Sequence, residues 1–233
     1  MKELSNVLDC SGLTLKEANR KVRELINQSH EIEMINASHI NGLCAGLDFG
    51  KIKVHCDVGD YFGMLNSGCR LYVSGSTGKY LGDGMTSGRI EISGNAGDYA
   101  AVYCCGGELR IKGSAGDFLG AMNKGATIII DGDIGDNTGT YMVGGDIFVL
   151  GNAGNALGDY IIRGGIYIIG SYEGLGHNAK QDRLRSADID KINSVLQYEG
   201  LTLNPRSFKK IVPASLRPFY GEKKTVSKGD DEP

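Results

Sequence analysis

The sequence predicts an all-β protein: a single-stranded right-handed parallel β-helix of about seven coils of 19–20 residues, with short capping helices at both ends. One observation is a glycine every 19 residues, at Gly59, Gly78, Gly97, Gly116, Gly135 and Gly154. The other is a pair of apolar columns with the same period. The first column is Ile52, Leu71, Ile90, Leu109, Ile128, Ile147 and Ile166, and the second is Val54, Val73, Ile92, Ile111, Ile130, Val149 and Ile168. Such a period is typical of a solenoid, whose repeats bury their apolar faces only by stacking.

Each repeat is predicted to be a strand followed by turns. One residue separates the two apolar columns, which is the period-two alternation of a half-buried strand. The remainder of each repeat is rich in glycine, which costs a helix about 1 kcal/mol per residue. We interpret the recurring glycines as corners that need a positive φ. Crossovers between parallel strands are nearly always right-handed, and the hexapeptide rhythm of left-handed solenoids is absent, so a right-handed coil is predicted.

The N-terminal flank, residues 1–31, is predicted to be a capping helix segment. Thr14 and Glu17 have the spacing of a capping box, and a helix is predicted over 15–27 with one apolar face. The β-helix itself is assigned to residues 32–170, beginning with an irregular first coil. The helix is expected to cover the open end of the solenoid, because exposed strand edges and an open core need a cover.

The C-terminal flank, residues 171–222, is predicted to hold a helix and an extended arm. Residues 171–185 read as irregular, and Ser186 is suited to cap a helix over 187–198 that packs on the other end of the solenoid. Prolines favour an extended arm in the stretch that follows, laid along a surface. Residues 223–233 are predicted to be a disordered tail.

Composition limits the classes of function. The formal net charge of −3 argues against generic nucleic-acid binding. No long apolar stretch predicts a membrane span or a leader, so a cytoplasmic protein is expected. A basic C-terminal stretch reads as a solvated or partner-docking arm; it contains Arg206, Lys209, Lys210, Arg217, Lys223, Lys224 and Lys228.

No catalytic, cofactor-binding or metal-ligating residues are assigned from the sequence. The glycine loops are followed by no helix that could hold a phosphate, and the nucleophile elbow G-x-S-x-G does not occur. The histidines, His30, His39, His55 and His177, show no metal spacing. The cysteines are interpreted as small buried hydrophobes in a reducing cell, with a metal or cluster site as the alternative; they are Cys10, Cys44, Cys56, Cys69, Cys104 and Cys105.

Two further columns follow the repeat. A polar column after the recurring glycines holds Asp60, Lys79, Asp98, Asp117, Asp136 and Asn155. Its members are expected to cap local backbone N–H groups, with outward splaying or cation binding as alternatives. An aromatic column beside it is expected to stabilise the stack or to dock a partner. The candidate docking face combines Tyr61, Tyr80 and Tyr99 with three outward aromatic residues, Tyr72, Phe148 and Tyr167.

One long segment carries a family resemblance. The run from Gly113 through Gly132 to Ile147, with its Gly-Ser-Ala-Gly-Asp-Phe-Leu-Gly core, resembles the G-x-G-x-G repeat domain of the glutamate synthase large subunit. It is also similar to the corresponding β-helical subunit of formylmethanofuran dehydrogenase. The similarity covers about residues 32–170. The flanking helix and the arm Phe208–Pro213 look more like the free-standing version, found in archaea and some bacteria.

The resemblance implies a right-handed β-helix without catalytic residues. In the large synthase this domain is structural and holds the glutaminase and synthase domains around an ammonia path. It therefore implies a scaffold subunit of a glutamate synthase-type complex, with FMN and iron–sulfur clusters on the partner chains. Two alternatives stay open: a scaffold of formylmethanofuran dehydrogenase, and a stand-alone esterase-like hydrolase. The oligomeric state, including a homo-oligomer, is also open.

Overall fold

The computed structural model of the chain describes residues 6–216 and shows a mainly β, parallel solenoid. Each coil from the third strand onward contributes one strand, and consecutive strands pair in parallel in sequence order as far as β9. The strands are β1 (Val7–Asp9), β2 (Glu31–Ile35), β3 (Lys51–Val54), β4 (Ser67–Val73), β5 (Ser87–Ile92), β6 (Glu108–Ile111), β7 (Lys124–Ile130), β8 (Val143–Val149), β9 (Arg163–Ile168), β10 (Ala179–Asp182) and β11 (Lys209–Pro213). The predicted tail, 223–233, lies outside the described residues.

The two apolar columns form the core, as predicted. All fourteen side chains are at most 2% exposed. The pairing register aligns them coil on coil, for example Ile52 beside Leu71 and Ile90 beside Leu109. The 19-residue period therefore matches one full coil. Burying each Leu, Ile or Val side chain is worth roughly 1.5–3 kcal/mol, which makes this column pair the main source of stability.

Two more backbone ladders complete each coil. A row of single parallel bridges runs from Val58 through Thr77 to Tyr172. A third row lies in the turns, where alternate residues are left-handed: φ is 57° at Tyr61, 65° at Gly63 and 55° at Leu65. Their N–H groups point alternately to the next and the previous coil, because Tyr61 donates to the carbonyl of Lys79 and Gly63 to that of Leu43. The turn backbone is thus hydrogen-bonded between coils.

The recurring glycines do not have the conformation that the sequence analysis expected. The positive φ values belong to the glycine four positions later and to the neighbouring aromatic residues. Gly116 instead lacks space for a side chain, because a Cβ there would overlap the carboxylate and backbone nitrogen of Asp98. Gly78, Gly135 and Gly154 face Asp60, Asp117 and Asp136 in the same way. These glycines therefore permit close stacking of successive coils.

The polar column after these glycines forms a ladder between coils. Asp98 accepts a hydrogen bond from the backbone N–H of Asp117 at 3.1 Å, and Asp117 accepts one from Asp136 at 2.8 Å. The prediction of local turn capping was wrong in one respect: the N–H groups belong to the following coil. A second ladder of the same kind runs through Asp57, Ser76, Asn95, Ser114, Asp133 and Asn152.

The first helix, α1 (Leu15–Ser29), covers the N-terminal end of the solenoid, as predicted. Its capping box is present, since the Thr14 hydroxyl accepts from the N–H of Glu17 at 3.4 Å and Glu17 accepts from the N–H of Thr14 at 2.9 Å. Asn19 substitutes for a missing coil: its amide accepts from the N–H of Cys44 at 2.8 Å and donates to the carbonyl of Gly42 at 3.0 Å. The strand β1, which the sequence analysis did not predict, extends the sheet by pairing with β2.

The C-terminal end is covered by strands, not by a helix. The strand β11 pairs antiparallel with β9, and β10 pairs with β11. The predicted arm is thus extended, but part of it belongs to the sheet, and β10 lies in a stretch that we expected to be irregular. The second helix, α2 (Ser186–Tyr198), follows Arg185 as its N-cap, and a 3₁₀ turn (Pro205–Ser207) precedes β11. In the described part of the chain, no helix is long and apolar enough to cross a membrane.

Candidate functional site

The helix α2 lies on the outer face of the sheet. Its buried side chains Ile192 and Leu196 form a second apolar cluster with outward residues of β7–β9 and with Phe208; those outward residues are Ile129, Phe148 and Tyr167. The sequence analysis placed this helix on the end of the solenoid, and that prediction was wrong. The apolar outward positions of three successive strands supply the surface that α2 buries.

Charged pairs fix the C-terminal end of α2 to the middle of the sheet. Arg89 donates two hydrogen bonds to Glu199, at 2.8 and 2.9 Å, and also contacts Glu108 at 3.0 Å. Arg110, 3% exposed, donates to Asp131 at 2.7 Å and lies 3.5 Å from Glu199. Burial raises the pKa of Asp131, and Arg110 partly opposes this effect. The Glu199 pairing raises the pKa of Arg89, so this guanidinium stays charged.

The N-terminal end of α2 has its own polar contacts. Tyr167 donates its hydroxyl to Asp188 at 3.1 Å, and Lys210 of β11 donates to the same carboxylate at 2.8 Å. Burial acts to raise the pKa of Asp188, but Lys210, the N–H of Arg185 and Tyr167 outweigh it and lower that pKa. Burial, together with Asp146 and Asp188, raises the pKa of Tyr167. Lys191 pairs with Asp146 at 2.8 Å. The helix is therefore bound at both ends.

This position of α2 changes the candidate docking face. Phe148 and Tyr167 are each 2% exposed and stack on each other with ring centroids 4.9 Å apart. The expectation that they are exposed was wrong, because α2 and Phe208 cover them. Tyr72 stays partly exposed, with Lys51 over its ring at 5.9 Å. The outward column therefore contributes one of its three proposed aromatic residues to the accessible surface.

The turns form an aromatic edge made of two stacked rows. In the first row, the ring centroids are 4.6 Å apart for Tyr61–Tyr80 and 4.9 Å apart for Tyr80–Tyr99 and Tyr99–Phe118. The second row is Tyr141, Tyr160 and His177, with centroid distances of 5.4 and 5.2 Å. The spacing follows the strand spacing of about 4.8 Å, so the rings stack because the coils do. Tyr61 is 38% exposed.

A groove of about 380 Å³ lies between the first row and the next column of turn residues. Its lining consists of Tyr80, Asp83, Tyr99, Val102, Tyr103, Phe118, Ala121, Met122, Thr140 and Tyr141. Tyr103, 49% exposed, and Met122 have φ values of 56° and 54°. Asp83 is the single charged residue among these described lining residues, and burial raises the pKa of its carboxyl. We call this feature the aromatic groove.

The sequence analysis identified one wall of the aromatic groove and missed the other. Tyr80 and Tyr99 belong to the predicted docking face. The second wall lies on a column that the predicted face did not include, Leu65, Gly84, Tyr103, Met122, Tyr141 and Tyr160. Its signal was available, since large side chains recur there at the same 19-residue period.

The other candidate residues are dispersed. His55 contacts Glu33 at 3.0 Å, His177 contacts Asp159 at 2.9 Å, and His39 contacts the carbonyl of Leu13. All six cysteines are thiols, of which Cys10, Cys44, Cys69 and Cys104 are buried. Burial raises the pKa of Cys10 to about 11 and that of Cys69 to about 12. Within residues 6–216, no group of three or more His, Cys, Asp or Glu side chains is arranged to hold a metal ion.

Comparison with known proteins adds one finding. A family model described as the GXGXG motif matches residues 10–202, which is most of the 233-residue chain. No curated protein matches the chain in sequence. The matched range includes α1, all coils of the solenoid and α2, so the family model covers both the aromatic groove and the outer face that α2 occupies.

Proposed function

The chain belongs to the GXGXG-motif family, and on that premise we propose that it is a structural subunit of a glutamate synthase-type complex. In this role it holds a glutaminase chain and a synthase chain together while glutamine and 2-oxoglutarate are converted to glutamate. FMN and iron–sulfur clusters reside on the partner chains. The family match over residues 10–202 carries the proposal, because the motif occurs in glutamate synthase and related complexes.

The chemistry of the repeat supports a scaffold role. The carboxylates of Asp98, Asp117 and Asp136 each accept a backbone N–H from the next coil. The buried arginines Arg89 and Arg110 bind α2 through Glu199. These polar groups have structural partners, as expected where the surface rather than a reactive centre is the functional part. The exposed aromatic edge is a surface that a partner would cover.

Recovery of the natural complex tests this proposal. The chain would be tagged in its own cells and purified gently, and the co-purifying chains would be identified by mass spectrometry and by their flavin and iron–sulfur absorbance. We expect a flavin- and cluster-bearing synthase chain together with a glutaminase chain. Molybdopterin enzyme chains would instead assign the chain to the formylmethanofuran dehydrogenase branch.

A further inference from the structure

We propose that the aromatic groove binds an arginine side chain from a basic segment of a partner protein. Asp83 supplies the negative charge, and the rings of Tyr99 and Tyr103 supply flat surfaces for the guanidinium. The proposal rests on the scaffold function only in requiring a partner. It does not depend on which complex that partner belongs to.

The charge around the groove favours a cation. Asp83 is the charged residue in its described lining. The polar column beside the first aromatic row contributes Asp60, Asp98, Asp117 and Asp136, against which stands Lys79, paired with Asp98 at 2.8 Å. Partial burial already raises the pKa of Asp83, and a bound cation would stabilise its ionised form. A basic ligand is thus complementary to this edge.

The shape of the groove favours arginine over other cations. A volume of about 380 Å³ is at the lower end for ligand sites, which suits one long side chain better than a cofactor. A guanidinium is planar, stacks on aromatic faces and can pair with a carboxylate through two hydrogen bonds, whereas an ammonium is a strongly hydrated point charge. Parallel rings beside one carboxylate match the first description.

The backbone supplies an independent argument. Tyr103, Met122 and Tyr141 all have positive φ values, between 53° and 56°. Glycine is the residue that adopts this conformation without strain, and Gly84 occupies the same column with a φ of 67°. Large side chains are kept at positions where they strain the backbone, which is expected where the side chains themselves have a task.

A peptide titration of the isolated full chain tests the proposal. The probe is acetyl-Gly-Arg-Gly-amide, followed by two-dimensional ¹H–¹⁵N NMR. The neutral citrulline analogue and the lysine analogue serve as comparison ligands. We expect saturable shifts confined to residues near Asp83, Tyr99 and Tyr103, weaker binding of the lysine peptide, and no binding of the citrulline peptide.

Matched variants assign the effect to the groove. Asp83→Asn and Tyr103→Ala should each weaken arginine-peptide binding, the former about tenfold, as expected for loss of a charge-assisted contact. Asp190→Asn and Tyr198→Ala change an exposed carboxylate and a 64% exposed ring on α2, and should leave binding unchanged. Equal binding of the citrulline peptide, shifts elsewhere, or no saturable shifts would overturn the proposal.

Two further outcomes are decisive. If replacing Arg217, Lys223 and Lys224 by glutamine in the full chain moves the groove resonances and makes peptide binding tighter, the occupant is this chain's own C-terminal segment and the proposed partner is wrong. If the complex described above forms equally well with Asp83→Asn and Tyr103→Ala, the groove proposal fails while the scaffold proposal stands. Peptide binding without recovery of that complex would give the opposite result.

Discussion

Replacing Gly116 by alanine tests why glycine recurs every 19 residues. The φ of Gly116 is not in the left-handed region, so backbone conformation alone allows an alanine. A Cβ at this position would overlap the Asp98 carboxylate and would lie 2.8 Å from the Asp98 backbone nitrogen. Because the coils are hydrogen-bonded above and below, the backbone of Asp98 cannot move away without breaking ladder contacts.

The expected loss can be worked from three contributions. Overpacking costs about 1–3 kcal/mol. Displacing the Asp98 carboxylate removes its hydrogen bond from the N–H of Asp117, worth about 0.5–1.5 kcal/mol. Restricting the unfolded chain by a Gly→Ala change returns about 0.4–1 kcal/mol. The free energy of unfolding should therefore fall by about 2 kcal/mol, within limits of about 0.5 and 4.

Gly97→Ala is the matched control. Gly97 has the same place in the preceding coil, but Lys79 stands where the other coils present a carboxylate or an amide, and the nearest atoms to a Cβ lie at 3.0 Å. Urea unfolding followed by far-UV circular dichroism should show a loss at least 1 kcal/mol smaller for this variant than for Gly116→Ala. Equal losses at the two positions would refute the steric argument.

Three further predictions concern the ends and the outer face. Asn19→Ala should lower the free energy of unfolding by about 1–3 kcal/mol, because the N–H of Cys44 loses its acceptor, whereas the exposed Asn27→Ala should change it by less than about 0.5; urea unfolding of both variants decides this. Glu199→Gln should cost about 3 kcal/mol and raise the hydrogen exchange of α2, since Arg89 and Arg110 lose a buried charge partner, while Glu24→Gln on the surface of α1 should be nearly neutral; unchanged exchange in α2 would contradict the proposed attachment. The raised pKa of Tyr167 should make stability full below about pH 10 and cause a loss as pH rises further, because the unfolded chain releases this proton first. Thermal unfolding from pH 8 to 11 measures that slope, which Tyr167→Phe should reduce.

The core of the solenoid was predictable because the sequence reports it redundantly. Ile52 and Val54 belong to columns that repeat seven times, and a strand is the one element that places both members of such a pair on the inner face. The capping box at Thr14 and Glu17 is equally local, so the start of α1 followed from neighbouring residues. Features set by contacts within one coil were therefore accessible.

Features set by contacts between coils were not accessible in the same way. Gly116 reads as a corner when only its own turn is considered, but its requirement comes from Asp98, 18 residues earlier in the chain. Asn19 likewise gives no sign in sequence that it replaces the hydrogen bonds of a missing coil. In both cases the deciding neighbour is fixed only once the coils are stacked.

The position of α2 had a signal that we read differently. The residues between the two core columns change character along the solenoid, from Lys53 and Glu91 in the early strands to Ile129, Phe148 and Tyr167 in the later ones. A solvated outer face would have kept the charged pattern. Three consecutive apolar outward residues on parallel strands form a stripe that needs a cover, and the amphipathic stretch after Ser186 was available to supply it.

The covered stripe narrows the surface that a partner can use. With Phe148 and Tyr167 beneath α2, the exposed aromatic side chains concentrate on the turn edge, where Tyr61, Tyr80 and Tyr99 stack. There the repeat keeps large rings in a backbone conformation that favours glycine. Stacking alone would be satisfied by one such row, as it is at Tyr61–Phe118. The second column, with Tyr103 and Met122 facing Asp83 across the aromatic groove, adds exposed apolar surface that the fold itself does not bury, and a partner side chain is the simplest cover for it.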